Sequence, residues 1–172
     1  MPLRTSAYGE NLVVTVRVTI VAEQARGAVE IAPRDGVAVA LRADSVMLTD
    51  PVIRGRDEEL PVVDGPCGQL AMDGCEVSGA AWTAVLARGS GRSRFMTAGV
   101  SNPAGTGVVA TSPEECSVAS SVLEHLGTTG IVADERRQGH GHGGRRPSPA
   151  LGVRRHGQPE VEHAQLTHRG GS

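Results

Sequence analysis

The chain has 172 residues, enough for one domain and a tail. All 17 of its basic residues are arginine, which excludes a phosphate-gripping P-loop lysine and a Schiff-base lysine; with one Trp, one Tyr and one Phe, any core must be aliphatic. A formal charge of -2 argues against general nucleic-acid binding, and no run of about 18 apolar residues reads as a membrane helix.

In chain order, the opening MPLRTSAYGE carries no apolar leader, so a cytoplasmic location is expected. Short stretches then alternate apolar and polar residues: Val18 to Ala22, Val46 to Leu48, Leu70 and Met72, Cys75 and Val77, Thr83 to Ala87, Thr106 to Ala110 and Thr129 to Ala133. Alternation over a few residues is the signature of half-buried strands. Gly, Pro, Asn and Asp between them supply turns, and glycine with β-branched residues breaks every helical window. Residues 1–133 hold 20 of the 22 valines and set 10 arginines against 15 acids. Residues 134–172 hold five of the six histidines, with seven arginines against four acids and no period of either kind. This last segment is expected to be a disordered Arg/His/Gly-rich tail.

A repeat organises the first segment. Thr83-Ala84-Val85-Leu86-Ala87 recurs as Thr106-Gly107-Val108-Val109-Ala110 and as Thr129-Gly130-Ile131-Val132-Ala133, 23 residues apart each time. Val77, Val100 and Leu123 keep the same step, as do Met72, Phe95 and Val118, and the small residues Cys75, Ala98 and Ser121. One copy earlier the offset is 24, placing Val46 to Gly55 over Leu70 to Gly79. Repeats of this length are solenoid units, and the leucine-rich frame L-x-x-L-x-L-x-x-N is absent. Coils of two or three short strands, stacked in parallel about 4.8 Å apart, would pile equivalent aliphatic side chains into internal columns. The fold expected is all-β: a short parallel β-helix of about five coils over residues 1–133.

These residues resemble the right-handed parallel β-helix family, which includes pectate-lyase-like and carbohydrate-binding repeat proteins. The segment Gly68 to Gly79 with Thr106 to Ala110 is similar to its rung "L-x-x-C-x-I-x-G…G-V-x-V", and Tyr8 to Ala22 is similar to its opening "Y-x-E-x-L…V-T-I-x-A". The likeness covers about residues 8–137. It extends to the β-helix region ahead of AAA-type ATPase modules in high-GC bacterial proteins, although no such module is present. It implies a right-handed coil and a face for saccharides. Two features depart from the family. MPLRTSA is too short for the usual capping helix, and beyond Ala133 the repeat meets Gly141, Arg146 and Arg154 where apolar residues are due. A truncated product with an out-of-frame tail is therefore expected. Open terminal coils predict end-to-end self-association.

Candidate chemistry is sparse. Calcium-assisted lyases of the family align acids on one face, yet Asp73 falls over Met96 and Ala119, and Glu76 over Gly99 and Val122. The pairs Glu58-Glu59 and Glu114-Glu115 fall in turn-like stretches and read as solvated loop charges. Cys75 and Cys116 occupy apolar columns and read as buried small residues rather than reactive thiols, whereas Cys67, after Pro66, reads as exposed. His140 and His142 are two ligands where zinc needs four, and His125 reads as a surface residue. Trp82, the sole indole, is the best stacking candidate for a sugar ring. Arg88, Arg92 and Arg94 follow it and could hold an acidic saccharide or carboxylate.

The reading is a non-catalytic β-helix repeat module with no cofactor. It is expected to bind a polysaccharide or protein partner through Trp82, Arg88, Arg92 and Arg94, with nucleic acid and membranes excluded. The alternative is a fragment of a polysaccharide lyase, epimerase or hydrolase.

Overall fold

The structure, a computed structural model, describes residues 2–3, 6–23, 25–65, 68–88, 91–111, 115–134 and 164–169. Among them every regular element is a strand, as the two-residue alternation requires. The chain makes six passes around a common axis, so five complete turns separate the first and last strands of a sheet. The first pass holds β1 (Pro2–Leu3), β2 (Ser6–Tyr8) and β3 (Leu12–Val14). The second holds β4 (Val18–Ala22), β5 (Val29–Ile31) and β6 (Val39–Leu41), and the third β7 (Ser45–Thr49), β8 (Val52–Arg54) and β9 (Val63–Gly65). Next come β10 (Gln69–Asp73), β11 (Glu76–Ser78) and β12 (Thr83–Arg88), then β13 (Arg92–Met96), β14 (Gly99–Asn102) and β15 (Thr106–Thr111). In the last pass β16 (Glu115–Leu126) serves two sheets without a break, and β17 (Ile131–Asp134) completes the coil.

Three parallel sheets result. Sheet A stacks β1, β4, β7, β10, β13 and the first half of β16; sheet B stacks β2, β5, β8, β11, β14 and the second half of β16; sheet C stacks β3, β6, β9, β12, β15 and β17. The molecule is a parallel β-solenoid, and its register is the one read from the repeat. Val46 pairs with Leu70 at 24 residues, then Met72 with Phe95 and Phe95 with Val118 at 23. Early steps are less even, because Val18 pairs with Val46 across 28 residues. The extra length lies in the β4–β5 loop.

Each sheet sends apolar columns inward. Ile20, Leu48, Met72, Phe95 and Val118 stack on sheet A, and Ile31, Ile53, Val77, Val100 and Leu123 on sheet B. Val39, Val63, Val85, Val108 and Ile131 stack on sheet C. All but Leu123 and Ile131 are buried, and those two belong to the last pass, over which no further coil stacks among the described residues. Each buried aliphatic side chain in these columns contributes about 1.5–3 kcal/mol.

The A-to-B corner has a geometry of its own. Gly27, Asp50, Gly74, Thr97 and Ser120 all have left-handed φ, between 48° and 80°, and they recur at the coil step. One such residue turns the strand sharply, and the next drops inward: Pro51, Cys75, Ala98 and Ser121 are all buried. Backbone bonds run coil to coil along the corner, from Gly27 N to Asp50 O, Asp50 N to Asp73 O, Gly74 N to Met96 O and Thr97 N to Ala119 O. The Thr97 hydroxyl donates to Asp73 Oδ1 at 2.5 Å and accepts from Gly74 N at 3.2 Å. Those bonds hold a β-branched residue where only glycine sits without strain.

The eight-residue β8–β9 loop is tied to the β5–β6 loop by Asp57. Its carboxylate accepts from Glu59 N, Leu60 N and Gly36 N, and these bonds hold its pKa below the usual carboxylate range.

The tail expected at 134–172 lies mostly outside the described residues. Its one described element is β18 (Ala164–Arg169), which runs antiparallel along β16.

Candidate functional site

Sheet B turns two columns outward. Glu30, Val52, Glu76, Gly99 and Val122 form one; Arg54, Ser78, Ser101 and Glu124 form the other. Gly99 stands where every other rung of the first column carries a side chain. A Cβ there would meet only Glu76 Cγ, at 3.7 Å, so the missing side chain leaves a notch between Glu76 and Val122. The notch is the floor of an open groove of about 540 Å³ that runs along the solenoid across these rungs.

One wall is the A-to-B corner. Arg26, carried by the β4–β5 loop, extends along it and donates from Nη2 to Thr97 O at 2.7 Å. Ser120 stands beside Thr97 at the next coil. The opposite wall is built on Arg54, whose Nε donates to Glu30 Oε1 at 2.8 Å and whose Nη1 reaches Ser78 Oγ at 3.4 Å. Ser101 and Glu124 continue it. Both arginines are thus engaged within the protein. Among the described residues, exposed Glu76 accepts no hydrogen bond and Glu124 meets only His125 Nδ1, at 3.9 Å. The groove therefore offers hydroxyls on successive rungs, about 4.8 Å apart, together with acceptors that still lack a partner. Its lining carries two arginines and two glutamates.

The four residues singled out from sequence lie elsewhere and do not form one cluster. Trp82 is 49% exposed on the B-to-C corner. Arg88 ends β12, six residues on, roughly 20 Å away along an extended strand. There its Nη2 donates to both oxygens of Asp64, at 2.7 and 2.9 Å, and Arg42 Nη1 reaches the same carboxylate at 3.3 Å. The Asp64 side chain is only 7% exposed, so two guanidinium groups compensate its desolvation. Arg92 and Arg94 point outward from sheet A, where Arg94 Nε contacts Met96 Sδ at 2.9 Å.

Cys75 and Cys116 are buried, and loss of water pushes their thiols up to about 12 and about 11. They are packing residues, as their columns suggested. Cys67, His140 and His142 lie outside the described residues. Glu58, Glu59 and His125 are exposed, whereas Glu115 begins β16 opposite Arg92 rather than lying in a turn. Among the described residues no three His, Cys, Asp or Glu converge as a metal site. Comparison with protein-family models, with curated proteins and with solved structures finds no match.

Proposed function

We propose that the chain is a non-catalytic solenoid module that holds an extended, neutral saccharide chain in the sheet B groove. The observation that carries this reading is the groove itself: a glycine floor, hydroxyl rungs and uncommitted carboxylates, with no excess of positive charge. A polyuronate would meet Glu76 and Glu124 with its own charges, while both arginines are already occupied. A neutral polyol instead donates its hydroxyls to the two glutamates and accepts from Ser78 and Ser101. The resemblance to saccharide-binding β-helix proteins agrees with this choice.

Spacing favours binding over hydrolysis. Glu76 and Glu124 stand two coils apart, about 10 Å along the axis alone. Paired glycosidase carboxylates stand about 5–9.5 Å apart.

Calorimetric titration with a neutral β-glucan hexasaccharide tests the proposal. Binding is expected for the unaltered chain and for Gly99→Ala, whose Cβ has room, and not for Gly99→Trp, which fills the floor. Glu76→Ala should weaken binding about tenfold, the loss of one hydrogen bond to a charged group. Equal binding by Gly99→Trp, or no binding of the neutral oligomer by the unaltered chain, contradicts the proposal. Release of shorter sugars during the titration would favour the lyase or hydrolase reading.

A further inference from the structure

A solenoid ends in strands whose outer N–H and C=O groups have no next coil to pair with. At the end formed by the last pass, β16 is the longest strand of the protein, and part of its outer edge is covered. The cover is β18. It pairs Glu115 with Arg169, Cys116 with His168, Ser117 with Thr167, Val118 with Leu166 and, after a register shift, Ser121 with Ala164.

Three observations set β18 apart from a further coil. Every other pairing among the described strands is parallel, and this one is antiparallel. Connections within the solenoid reach at most the eight residues 55–62, whereas residues 135–163 separate β17 from β18. The register holds from Glu115 opposite Arg169 to Val118 opposite Leu166 and then shifts before Ser121, whereas the parallel pairings of sheet A run without a shift. A connection of 29 residues spans up to about 100 Å when extended. Six coils rise only about 29 Å. Chain length therefore does not bind Ala164–Arg169 to its own β16.

We propose that the outer edge of β16 is a strand-acceptor site for an antiparallel segment, filled in cis by Ala164–Arg169 and in trans by the same segment of a second copy. The main-chain ladder supplies affinity, and the register opposite Glu115 and Val118 supplies selectivity, as in other cases of strand addition. Exchange of an identical element is a low-cost route to a dimer. The end-to-end association expected from open coils is thereby narrowed to one edge and one occupant.

The test uses the full chain carrying Leu166→Pro and Thr167→Pro together. Successive N–H groups of a strand point to opposite sides, so two adjacent prolines remove the one that faces β16 whichever it is. A fluorescent peptide of residues 160–171 should bind this variant at least tenfold more tightly than the unaltered chain, whose site is filled. The same peptide carrying both prolines should not bind. In hydrogen exchange, amides of residues 115–121 should exchange at least tenfold faster in the variant while those of β13 keep their rates, which also shows that the solenoid stays folded. Peptide binding to neither protein or equally to both, or unchanged exchange at 115–121, overturns the proposal. Mixing the variant with the unaltered chain should give a two-chain species by light scattering; monomers alone at every concentration overturn the exchange in trans.

Discussion

Gly74 shows how much one residue decides at the A-to-B corner. Its φ is +64°, and a Cβ would meet Asp50 Oδ1, so Gly74→Ala adds left-handed strain and displaces the aspartate. The expected loss is about 1–2 kcal/mol in chemical denaturation. Gly99→Ala, with ordinary φ and an open notch, should be close to neutral. An equal cost at both positions would mean that the corner does not require its left-handed residue. Cys75, the next residue, makes a separate prediction. Its folded pKa is about 12 against an ordinary value of 9.0. Between those values the unfolded chain has lost the proton and the folded chain still holds it. Stability is thus fully present below about pH 9 and falls as pH rises toward 12, and Cys116 adds a fall toward 11. Cys75→Ala, which matches Ala98 in the same column, should flatten the alkaline slope. An unchanged slope would contradict its burial as the cause. Neither thiol should react with iodoacetamide in the folded chain at pH 8.

At the scale of the strand, stability rests on the internal columns. Phe95 is the largest buried side chain and stacks between Met72 and Val118. Phe95→Ala leaves a cavity between Met72 and Val118 and should cost about 3–5 kcal/mol, while Phe95→Leu should cost well under half of that. A small cost for the alanine variant would mean that the coils collapse freely around the gap. These columns are legible in the sequence. Met72, Phe95 and Val118 share a 23-residue step, and inward side chains must be apolar wherever coils stack. The corner was not legible in the same way. Its ladder of Gly27, Asp50, Gly74, Thr97 and Ser120 shares a backbone conformation rather than a side-chain type, so comparing residue types reveals nothing in common. The strand β18 escaped the repeat altogether because it pairs antiparallel and belongs to no coil.

For the whole molecule, the candidate site follows from stacking rather than from any local motif. Glu76, Gly99 and Val122 are ordinary residues in three separate strands, and only coil-on-coil register makes a glycine between larger neighbours into a groove floor. The 23-residue step aligns them, but an acid over a glycine over a valine forms no row of one chemistry that sequence alone marks as a site. Trp82 and the nearby arginines are rare or charged residues close in sequence. In a strand-built coil, six residues of sequence are a long distance, whereas 23 residues are about 4.8 Å. The same register gives the solenoid two chemically different outer faces, with Arg94 on sheet A and the hydroxyl-lined groove on sheet B.

The proposed function places the ligand on sheet B and not on the Trp82–Arg94 segment. The most direct measurement is a backbone amide NMR titration with the neutral β-glucan hexasaccharide. Shifts confined to residues near Arg26, Arg54, Glu76 to Ser78, Thr97 to Ser101 and Ser120 to Glu124 are the result predicted. Shifts centred on Trp82, Arg88, Arg92 and Arg94, or none at saturating sugar, would contradict it.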